Sequence, residues 1–74
     1  MNSQDLQKEV EKILTEMGCS DISFPDPKDD LVVAIFNCKE LTSFQAELSG
    51  WTYSGIHLDP SGTRGYKIDF KRAV

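Results

Sequence analysis

Leu31-Val32-Val33-Ala34-Ile35-Phe36 is the only run of six residues in this chain without a polar side chain. Read as a strand, it has two apolar faces, because successive side chains point to opposite sides. A small domain with helices on one face of a sheet needs only one of them. The second face calls for a cover: a further helix, another copy of the chain, or a different partner.

The flanks of this run are punctuated. Before it, Pro25-Asp26-Pro27-Lys28-Asp29-Asp30 reads as a turn, with two prolines fixing φ and aspartates favouring local side-chain bonds. Its three aspartates lack the spacing and the distant glutamate of an EF-hand loop, so a solvated turn is the simpler reading. Further upstream, Ser20-Asp21-Ile22-Ser23-Phe24 alternates weakly, as a short strand does. After the run, Asn37 with Glu40 three places on has the form of a capping box. Leu41, Phe44 and Leu48 then predict the buried stripe of a second helix of about 11 residues, closed by Gly50 and too short to persist undocked.

At the amino end, Leu6, Val10, Ile13, Leu14 and Met17 fall on one stripe of a 3.6-residue helix. Asn2 or Ser3 can cap its start, and Gly18 supplies a left-handed residue at its end. Its other face is mixed in charge and not basic, unlike a membrane-surface helix. At the carboxyl end, Tyr66, Ile68 and Phe70 alternate with Lys67, Asp69 and Lys71, the pattern of a strand with one face in and one out. Its hairpin partner is Trp51 to Leu58, joined through the turn-rich Asp59–Gly65.

The order α-β-β-α-β-β predicts an α+β two-layer sandwich, a four-stranded, mainly antiparallel sheet with both helices on one face. A helix joining the second and third strands makes a right-handed parallel crossover if those two strands are neighbours. The 74 residues form one small domain, in which roughly 60% of the unfolded chain's surface is buried and little room remains for an enclosed cavity. That size favours a binding module over an enzyme, and no cofactor or small-molecule substrate is indicated.

The net charge of −4 argues against non-specific binding to a phosphate backbone. Residues 51–74 nonetheless carry Arg64, Lys67, Lys71 and Arg72 against Asp59 and Asp69, a local excess of cations. Neither a membrane-span-length apolar stretch nor a signal-peptide pattern is present, so a cytoplasmic location is the expectation. Cys19 and Cys38 then read as free structural thiols, since two ligands do not make a zinc site.

The segment Trp51–Leu58 holds the main ambiguity. In a regular strand, Trp51, Tyr53 and His57 face away from the helices, beside Lys67 and Lys71 and the spare face of Leu31, Val33 and Ile35. Exposed aromatics with cations suit single-stranded bases, and they equally suit a protein interface. With a β-bulge at Ser54-Gly55, Trp51 and Tyr53 instead join Ile56 and Leu58 in the core. His57 with Ser54, Ser61 and Asp59 makes no hydrolase triad, because near neighbours on one strand do not converge. Ser61-Gly62-Thr63-Arg64-Gly65 resembles a phosphate cradle in composition only, as it leads into a strand rather than a helix.

The expectation is therefore a non-catalytic, regulatory or protein-binding module acting through its open sheet face or final hairpin, with self-association as one form. Its binding residues are Trp51, Tyr53, His57, Arg64, Lys67 and Lys71. A single-stranded nucleic-acid-binding module using the same residues is the alternative.

Overall fold

In a computed structural model, residues 1–40, 43–58 and 65–73 are described. The apolar run becomes the inner half of a two-strand spine. Strand β2 (Leu31–Cys38) pairs antiparallel with the strand at the carboxyl end along most of its length, from Leu31 opposite Lys71 to Phe36 opposite Tyr66. That strand, β5 (Tyr66–Arg72), also pairs on its far edge with β3 (Trp51–Tyr53) and β4 (His57–Leu58). On the outside of β2 lies β1 (Cys19–Ser23), giving the order β1-β2-β5-β3, with β4 also against β5. Every pairing is antiparallel.

The α+β class of the sequence reading holds, and its finer details need correction. Among the described residues the sheet has five strands rather than four, and one helix stands rather than two. The chain enters the last strand between β2 and β3, so those two are not neighbours and no parallel crossover joins them.

Helix α1 (Ser3–Glu16) forms as its pattern requires. Asn2 Oδ1 accepts from the Asp5 N–H at 2.8 Å, satisfying one of the free donors of the first turn. Gly18, at φ +87°, closes the other end in a conformation that glycine adopts without a Cβ penalty. Leu6, Val10 and Leu14 are fully buried, with Ile13 and Met17 packed beside them. They share a core with Val32, Ala34 and Phe36 of β2 and with Ile68 and Phe70 of β5.

The expected second helix is not found among the described residues. β2 runs on through Asn37 to Cys38, so the supposed cap is a strand residue whose amide donates to Asp21 Oδ2 at 3.2 Å. Leu41 lies outside the described residues, and residues 43–48 carry no regular structure. Yet Phe44 and Leu48 are buried in the same core. Thr, Ser and Phe are mediocre helix formers, and a short helix has little cooperative support. The tertiary contacts prevail. The Phe44 ring meets Tyr53 edge-on at 5.2 Å and Phe70 at 5.7 Å. The Tyr53 hydroxyl accepts from the Ala46 N–H at 2.9 Å and donates to the Ala46 carbonyl at 3.0 Å. One phenol thus takes over the backbone pairing that a helix would have supplied at that residue.

Candidate interaction surface

The segment 51–58 decides what the open face displays. Tyr53 stands opposite Phe70, while His57 stands opposite Lys67. Three residues, Ser54-Gly55-Ile56, therefore face two, Ile68-Asp69, on β5. This is the one-residue excess of a β-bulge, with Gly55 at φ +105°. Directly opposed residues share a face, so Tyr53 lies with Phe70 on the covered side and His57 with Lys67 on the open side.

Trp51 is buried on the covered side. Its Nε1 donates to the Met1 carbonyl at 2.8 Å, and the Arg72 guanidinium lies 4.6 Å from its ring centroid. Arg72 is itself held by the Asp29 carbonyl at 2.9 Å. Tyr53 is half-buried with its hydroxyl engaged at Ala46. Both aromatics thus act as core anchors and leave the open face without them. Leu58 faces the same side as Tyr66, the side expected of it in either register, but it is 76% exposed and not part of the core. Arg64, Asp59, Ser61 and the glycine-rich loop 61–64 lie outside the described residues.

The open face is built by β2 and β5. Val32, Ala34 and Phe36 point to the core, so the alternate residues Leu31, Val33 and Ile35 form a half-buried apolar stripe on the other side. Across from them, in register, stand Lys71, Asp69 and Lys67. Thr52 extends the row beyond Lys71, and His57 beyond Lys67. His57 is exposed and its Nε2 lies 3.1 Å from Ser54 Oγ.

Three of the six expected binding residues, His57, Lys67 and Lys71, therefore share one surface, and Trp51 and Tyr53 do not join them. Asp69 was not among the expected residues, although its place between Lys67 and Lys71 in the alternating strand puts it there. Its Oδ1 is 3.8 Å from Lys67 Nζ, inside ion-pair range but too far for a hydrogen bond. That oxygen is shielded from solvent and has no hydrogen-bond partner among the described residues. Unpaired shielded acceptors are uncommon, because losing water without gaining a donor costs about 1–3 kcal/mol. A shallow hollow lined by Asp30, Leu31, Lys71, Arg72 and Ala73 lies at the end of the sheet.

Among the described residues, no helix is long and apolar enough to cross a membrane. The chain matches no model of a known protein family, and no curated protein or solved structure shows significant similarity to it.

Proposed function

We propose that this protein is a non-catalytic interaction module that binds protein through the open face of its sheet, self-association being the concrete form. The reading rests on one observation: Leu31, Val33 and Ile35 line the face opposite α1 with no element over them among the described residues. An apolar stripe beside a polar row is the anatomy of an interface core with its rim. The Lys67-Asp69-Lys71 row supplies alternating charges, and the Asp69 oxygen, without a donor among the described residues, can take one from a partner. With Trp51 and Tyr53 turned inward, a nucleic-acid-binding reading keeps the cations and the small His57 ring but loses its two large stacking rings.

The test is molecular mass in solution over a wide concentration range, for the wild type and for Val33→Lys. The substitution places a cation opposite Asp69, a favourable cross-strand pair that keeps the strand pairing sound while charging the stripe. We expect concentration-dependent association of the wild type and a folded monomer for the variant. A wild type that stays monomeric at millimolar concentration rules out self-association.

A further inference from the structure

Cys19 and Cys38 are directly opposed across the β1–β2 pair. Opposed residues in an antiparallel pair have Cα atoms about 4.5 or 5.5 Å apart, depending on the hydrogen-bonding site. Both values fall within the roughly 4.4–6.8 Å that a disulfide spans, and opposed side chains leave the sheet on the same side. Cys19 is buried and Cys38 half-buried, and both are free thiols. The Cys38 thiol donates to the Glu40 carbonyl at 3.1 Å, which keeps it at the margin of the core rather than inside it.

We propose that Cys19 and Cys38 form a reversible modification site, a dithiol that low-molecular-weight disulfides oxidise to an intrachain cross-strand disulfide. In the first step Cys38, the more accessible thiol, attacks the disulfide RSSR as its thiolate, forming Cys38–S–SR and releasing RS⁻, which takes up the proton that Cys38 gave up. In the second step the Cys19 sulfur attacks Cys38 Sγ. The Cys19–Cys38 bond forms, the Cys38–SR bond breaks, and the second RSH leaves with the Cys19 proton. Two electrons pass from the two cysteines to RSSR, which is reduced to two thiols. Burial, with the Cys38 thiol beside it, pushes Cys19 up from 9.0 to about 12, which makes Cys38 the attacking thiol and Cys19 the resolving one.

The cross-link has a structural consequence. β1 is an outer strand whose pairing with β2 is broken by a register shift between Ser20 and Ser23. The disulfide fastens it where α1 hands over to the sheet and where β2 leaves for residues 39–40. This site lies on the covered side, with Phe36 and Ala34, so oxidation leaves the open face unaltered. The modification stands or falls independently of the proposed interaction.

The experiment equilibrates the full chain with reduced and oxidised glutathione over a series of ratios, once in buffer and once in concentrated urea. Alkylation and mass spectrometry then count the free thiols. Trypsin cleaves after Lys28, between the two cysteines, so a peptide pair that stays joined until reduction identifies the bond. We expect the folded chain to lose both thiols as a monomer at a glutathione ratio at least about tenfold more reducing than the unfolded chain needs, because the fold holds the sulfurs together. Oxidation of the folded chain at the same ratio as the unfolded one, or at a more oxidising ratio, overturns the proposal. So does a folded chain that stops at glutathione on Cys38 alone.

Discussion

The layer over the sheet has two halves that bury apolar side chains by different means. Over β1 and β2 lies α1, whose backbone bonds are internal and whose stripe of Leu6, Val10 and Leu14 is presented by helical period alone. Over β3 and β5 lies the irregular segment 43–48, which holds Phe44 and Leu48 in the core without a repeating backbone pattern. Its Ala46 backbone is held by Tyr53, and its end by the Trp51 N–H, which donates to the Leu48 carbonyl at 2.9 Å. A helix brings its own hydrogen bonds to the core. An irregular cover has to find them on the element it covers.

The comparison is tested most severely by truncating one anchor in each half. Leu14→Ala is expected to cost about 2–5 kcal/mol and Phe44→Ala about 3–5 kcal/mol in urea unfolding. Both are large against the ~4–11 kcal/mol that a chain of this size has in total. Near-equal losses mean that the irregular half is core in the full sense. A loss below about 1 kcal/mol for Phe44→Ala breaks the equivalence and makes that half a loosely laid flap. A smaller effect is expected from Tyr53→Phe, which keeps the ring against Phe44 and Phe70 but strands the Ala46 N–H and carbonyl. About 1–3 kcal/mol is expected, with amide exchange at Ala46 speeding up well ahead of the amides of α1.

The two halves also differ in how far they were legible in the sequence. The period of α1 and the alternation of β5 are repeated over several turns or residues, so a local pattern suffices to place them. The spacing of Leu41, Phe44 and Leu48 fits a helix, but it also fits any path that returns to the core every three or four residues. What separates the two is the Tyr53–Ala46 pairing, which no local pattern encodes. The open face follows the same logic. Alternation within one strand places Lys67, Asp69 and Lys71 alike. Trp51 and Tyr53 depended on a one-residue bulge, for which Gly55 within a strand was the one available signal. Register is a global property, and a single extra residue sends a side chain to the other face.

The smallest expected effect concerns the helical half. Asn2→Ala removes the side-chain acceptor from the Asp5 N–H, which is exposed and regains a water partner, so the loss is about 1 kcal/mol. The neighbouring Met1 carbonyl, however, accepts from Trp51 Nε1 and from Arg72 at 3.4 Å, tying the start of α1 to the far edge of the sheet. Two outcomes are distinguishable by the Trp51 fluorescence maximum. If the cap serves only the helix, the stability loss leaves the indole emission as shielded as in the wild type. A red shift in the folded state of the variant means that loosening the first turn also loosens the Trp51 anchor. In that case the two halves of the cover are not independent, and Asn2→Ala combined with Tyr53→Phe departs from additivity by more than about 0.5 kcal/mol.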